Sequence, residues 1–166
     1  MRVFIEKQRF DQWWLYALYT LVLIVLITGI YKNSDGFTNF HSPFLVLFFL
    51  AGIIPMALIL YKQLETRIDN EGIRVKFSPL GFTEKFFPWK EIEDCYVRKY
   101  SPVSEYGGWG LRSLGKKKAY NVSGNIGIQI VTRDKKRFLI GTRKPDAARA
   151  VIRNYEYKFN PHFNKN

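Results

Sequence analysis

The stretch WWLYALYTLVLIVLITGI, residues 13–30, contains no charged side chain, and a second such run, FLVLFFLAGIIPMALIL, follows at residues 44–60. As helices rising about 1.5 Å per residue, the 18 and 17 residues each reach roughly 26 Å, close to a hydrocarbon core of about 30 Å. Trp13, Trp14, Tyr16, Tyr19, Tyr31 and Tyr61 frame the runs with residues that favour the headgroup level. These patterns predict a transmembrane hairpin over residues 13–61, with spans at 13–31 and 43–61 and the link Lys32–Ser42 as a turn. Arg2, Lys7 and Arg9 precede the first run, only Lys32 lies in the link, and Lys62, Arg67, Arg74 and Lys76 follow the second. That bias predicts an integral membrane protein with both termini cytoplasmic. No ionisable group interrupts either run, so an ion or proton path is not expected.

The chain carries 26 Lys plus Arg against 14 Asp plus Glu, a formal net charge of +12. Nearly all of the excess lies after Tyr61. Residues 1–12 read as an N-terminal segment, residues 62–158 as one small cytoplasmic domain and residues 159–166 as a flexible tail. In the domain, Ile73, Val75 and Phe77 alternate with Arg74 and Lys76, the period of a half-buried strand. The turn Asp69–Gly72 joins that strand to Leu64–Ile68. Further strands are expected at Phe82–Phe87, Ile92–Tyr100, Ala119–Val122, Gly127–Thr132 and Arg137–Ile140, seven in all. Pro145 suits a first helical position, and Ala148, Val151, Ile152 and Tyr155 recur at helical spacing, so one amphipathic helix closes the domain.

Seven strands and a capping helix follow the order of the pleckstrin-homology (PH) superfold. The segments Glu105-Tyr106-Gly107-Gly108-Trp109-Gly110, Val122-Ser123-Gly124-Asn125 with Gly127, and Ile140-Gly141-Thr142 with Lys144-Pro145 carry a resemblance to small bacterial membrane proteins with two N-terminal transmembrane helices and a PH-like domain. The resemblance implies a PH-like seven-stranded barrel beneath the bacterial inner membrane. It implies no activity, because a fold does not confer function.

The candidate interaction loop is Tyr106, Gly107, Gly108, Trp109, Gly110 and Arg112, where three glycines surround a large aromatic residue. Trp109 either contacts a ligand or folds back as a plug. Lys116, Lys117 and Lys118, with Arg133, Lys135, Lys136 and Arg137, form basic clusters that either approach anionic lipid or make a solvated face. PH domains that recognise phosphoinositides use a basic first turn, whereas Asp69–Gly72 carries two acids, so specific phosphoinositide binding is not expected. No zinc-ligand set, nucleotide loop or nucleic-acid motif is present. Cys95 is the single cysteine and sits mid-strand, His41 lies in the link and His162 in the tail, so no catalytic residue, metal or cofactor is expected. The expected function is a non-catalytic binding or scaffold module, with the lipid bilayer, another membrane protein or a second copy as partner.

Overall fold

The computed structural model describes residues 3–10, 13–33, 52, 61–78 and 84–160. The chain divides into two compact units, Met1–Arg9 with Lys62–Asn166, and Phe10–Tyr61. Of the second unit, helix α1 (Trp13–Asn33) is described. Leu18, Leu21, Val25 and Ile27 are exposed on it, and Thr20 and Thr28 return their hydroxyls to the carbonyls of Tyr16 and Ile24.

The first unit holds nine strands among the described residues. Strands β1 (Phe4–Arg9), β2 (Gln63–Ile68), β3 (Gly72–Ser78) and β4 (Lys85–Pro88) form an antiparallel sheet in chain order. Strands β5 (Ile92–Lys99), β6 (Gly110–Leu114), β7 (Lys117–Asn121), β8 (Ile126–Thr132) and β9 (Arg137–Gly141) form a second sheet ordered β5-β8-β9-β7-β6. Only β7 and β9 run parallel in it. Helix α2 (Pro102–Tyr106) follows β5, and helix α3 (Pro145–Tyr155) follows β9.

The sheets meet through Phe87 on Phe138, ring centroids 4.7 Å apart, and Phe77 on Tyr120 at 6.5 Å. Leu64, Ile68, Ile73, Val75, Ile128, Ile130 and Ile140 fill the interior without exposed area. Period-2 alternation produces this packing, since every second residue of β2 and β3 faces the core. Helix α3 buries Ala148, Val151, Ile152 and Tyr155, the stripe its spacing predicts, and packs against β1, β5 and β8. Trp89 stacks between Tyr155 and Phe159 and donates its indole N–H to the Asp69 carbonyl at 2.9 Å. Phe159, read as the start of a tail, is therefore buried.

Three expectations are corrected. The seven segments read as strands all carry strand, but β1 and β6 join them, giving sheets of four and five strands in place of a PH-like seven-stranded barrel. Strand β1 escaped notice because its inward residues, Phe4, Glu6 and Gln8, are mostly polar, so hydrophobic alternation is absent. Among the described residues no helix is long and apolar enough to cross a membrane. The transmembrane hairpin and the integral, inner-membrane placement with both termini cytoplasmic are withdrawn on that ground. The link beyond Asn33, the second apolar run apart from Gly52, and residues 161–166 lie outside the described residues.

Strand β1 is tied into the second sheet by polar contacts. The two Glu6 carboxyl oxygens accept from Thr142 Oγ1 at 2.6 Å and the Arg143 amide at 2.8 Å. Gln8 Nε2 donates to the Gly141 carbonyl at 2.7 Å. The Thr142 hydroxyl then accepts from the Lys144 amide at 3.1 Å, just ahead of α3.

Candidate functional site

The second sheet's outer face begins with Arg98 on β5. Its guanidinium forks onto Glu105, with Nη2 to Oε2 at 2.7 Å and Nη1 to Oε1 at 3.2 Å, and its Nε donates to Gln129 Oε1 at 3.0 Å. A planar fork on a carboxylate fixes direction as well as distance. Glu105 Oε1 also accepts from the Ser101 amide at 2.8 Å, which fastens α2 across the sheet. The Arg98 hydrogen bond, against some desolvation, holds the Glu105 carboxyl below its usual range.

Helix α2 stops at Gly107, whose φ of +71° lets its amide return to the Val103 carbonyl at 2.9 Å. Tyr106, the first residue of the candidate loop, is 2% exposed and packs edge-on against Tyr100, with Ala119 and Leu139 beneath. It is a core residue. Gly108 and Gly110 hold φ values of +121° and +110°, which side-chain-bearing residues rarely adopt. Trp109 between them is half-buried, with its indole N–H donated to the Gly124 carbonyl at 3.2 Å. Arg112 is exposed and donates from Nε to the Trp109 carbonyl at 3.0 Å. Asn121, which sequence reasoning passed over, joins the strap to the sheet. Its Oδ1 accepts from the Gly110 amide at 2.8 Å, and its Nδ2 donates to the Tyr100 hydroxyl at 3.1 Å. The glycine-rich segment is thus a folded strap, and its exposed part begins at β6.

Strands β6 and β7 are joined by the two-residue loop Gly115-Lys116. Gly115 has φ +58° and Lys116 has no positive φ, the pattern of a type II′ hairpin turn. Residues Leu111 to Leu114 are all exposed, Leu111 at 46% and Leu114 at 55%. Because β7 runs parallel to β9, Lys117 lies beside Arg137, and the Arg137 amide donates to the Lys116 carbonyl at 3.0 Å. Two basic clusters about 20 residues apart in sequence thereby share one end of the sheet. Their charges differ in availability. Lys135 pairs with Glu93 at 2.5 Å and Lys136 with Asp134 at 2.6 Å, whereas among the described residues Lys116, Lys117, Lys118, Arg133 and Arg137 have no carboxylate within 4.0 Å. No Asp or Glu occurs between Glu105 and Asp134, a signal visible in the sequence that gives this end an excess of positive charge.

Other features are less suited to binding or chemistry. A recess of about 450 Å³ opens between Val3, the β2–β3 turn and Tyr155, but its cations are engaged, Arg67 with Asp69 at 2.9 Å and Arg74 with Glu71 at 3.5 Å. Cys95 is buried, and burial, reinforced by the Asp94 charge, pushes its thiol far up from the usual range. Among the described residues no three His, Cys, Asp or Glu side chains gather to hold a metal ion. His41 and His162 lie outside the described residues. No protein-family model matches the chain, and no curated protein matches its sequence.

Proposed function

We propose that this chain is a non-catalytic binding module that recruits a partner protein through the β6–β7 hairpin and the basic residues beside it. The observation that carries this reading is an exposed hairpin at a sheet edge, bearing Arg112 and Lys116 to Lys118 in a 28-residue stretch free of acids. An excess of positive charge attracts an oppositely charged surface and speeds encounter with it. The strap behind the hairpin supplies rigidity, since Asn121, Gly124 and Arg98 fix Gly110, Trp109 and α2 through hydrogen bonds. A surface held in one conformation loses less entropy on binding. The thiol of Cys95 lies in the core, away from this surface.

Photo-cross-linking tests the reading. With benzoylphenylalanine in place of Arg112 in the full chain, irradiation of intact cells is expected to yield one dominant adduct with a foreign protein. That adduct should disappear when Lys116→Glu and Lys118→Glu are added. Adducts confined to the same chain or to lipid would overturn the reading in favour of self-assembly or lipid docking.

A further inference from the structure

We propose that β6 is an open docking edge that takes up an extended acidic segment of a partner protein as an additional strand. The proposal rests on the binding-module reading and specifies its mode. Among the described residues strand β6 pairs with β7 on one side only. Around a two-residue loop the flanking residues exchange the first pair of ladder bonds. Leu114 with Lys117 and Arg112 with Ala119 are then the bonded pairs. The amide and carbonyl of Leu111 and Ser113 consequently point away from β7.

The other edges are blunted by devices that β6 lacks. Strand β1 is clasped through Glu6 and Gln8, β4 ends in Pro88, and β5 carries a bulge between Ile92 and Asp94. Strand β6 has an unbroken register, no proline and two exposed leucines. Main-chain bonds would supply affinity along this edge, and neighbouring side chains would supply selection.

Charge selects the occupant. Arg112, Lys116, Lys117 and Lys118 surround the edge, and the alternation of a strand places Arg112 and Leu114 on one face and Leu111 and Ser113 on the other. The complementary segment is extended, with acidic residues over Arg112 and apolar ones beside the leucines. A second copy of β6 fits poorly, because antiparallel pairing would bring two hairpins of like charge together. A phosphate backbone would meet the cations but leave the outward amides and carbonyls of Leu111 and Ser113 without a matching ladder.

Two fluorescein-labelled octapeptides of alternating Val and Glu test the mode on the full chain, one all-L and one with alternating L and D residues. Their charge is identical, but only the first has the right-handed twist and alternating side chains that match an all-L edge strand. The all-L peptide is expected to bind at least about tenfold more tightly in fluorescence anisotropy. Ser113→Pro, which removes one outward donor, should weaken it about tenfold, the effect of roughly one hydrogen bond. Lys118→Glu should weaken both peptides. Equal binding of the two peptides, or Ser113→Pro binding as the parent does, would overturn the proposal. Amide exchange on the unsubstituted chain guards against misfolding of the proline variant. The all-L peptide should protect Leu111 and Ser113 above all, and protection centred on another edge would overturn the proposal. A foreign adduct at Arg112 combined with equal peptide binding would reject only the strand mode; absence of that adduct would reject the module itself.

Discussion

Among the described residues strands β1 and β6 each pair with a neighbour on one side only, yet β1 buries Phe4, Glu6 and Gln8, whereas β6 leaves Leu111 to Leu114 exposed. The strand with the more polar inner face is sealed, and the strand with two leucines is open. Hydrophobicity therefore does not decide which edge is closed. The partner groups across the gap decide it, since Gly141, Thr142 and Arg143 offer β1 a carbonyl, a hydroxyl and an amide in reach. Once paired, buried polar groups specify one register, because any slip leaves them unsatisfied.

The largest effect should come from breaking the sealed edge. Glu6→Ala strips the Thr142 hydroxyl and the Arg143 amide of their acceptor and should cost about 3 kcal/mol in urea unfolding. The variant should also speed amide exchange throughout β1. Removing the connector behind the open edge comes next. Asn121→Ala leaves the Gly110 amide and the Tyr100 hydroxyl unpaired, an expected loss of about 2 kcal/mol with increased mobility at Trp109.

Acid sharpens the contrast at the Arg98–Glu105 fork. Glu105 has a lower pKa folded than its ordinary 4.5, so its contribution is present above that value and lost as pH falls through the folded pKa. Glu105→Gln should lower stability at neutral pH and flatten the decline as pH falls below the ordinary 4.5. At the open edge, Ser113→Pro should alter stability by less than about 1 kcal/mol, since a proline whose missing donor faces outward is tolerated on an edge strand. A substitution there that costs as much as Glu6→Ala would show that β6 is structurally closed. The smallest response is expected at Cys95, which should resist an aromatic disulfide reagent at mildly alkaline pH until urea exposes it.

Segments with ordinary periodicity were legible in the sequence. Ile73, Val75 and Phe77 marked β3, and Ala148, Val151, Ile152 and Tyr155 marked α3, because burial there follows hydrophobic spacing. Strand β1 was illegible for the opposite reason, since its buried positions include Glu6 and Gln8, whose partners lie more than 130 residues away. Strand β6 was hidden inside a glycine-rich segment, where exposed Leu111 and Leu114 do not alternate. In the candidate site, three glycines correctly pointed to unusual backbone around Trp109, but Tyr106 proved to be core and Arg112 alone among the loop's longer side chains is exposed. Local sequence carries no record of Tyr100, Ala119 and Leu139 converging on Tyr106. The acid-free span from 106 to 133 was the legible signal of the basic end, and parallel pairing of β7 with β9 completed it.

Arg9 and Gln63 are register partners, so the polypeptide leaves the β unit after Arg9 and re-enters it beside the point of departure. In engineering terms, the intervening segment is a cassette inserted at a hairpin tip. Swapping residues 10–62 for Asn-Gly would leave β1 and β2 as an ordinary two-strand ribbon with the same register. Conversely, a chain begun at Lys62 would lack the strand that supplies Glu6 and Gln8, and would present Leu64, Thr66 and Ile68 along a raw seam. The first nine residues therefore belong with the unit that resumes at Lys62, and their sheet cannot be completed on the ribosome until Pro88 has been synthesised.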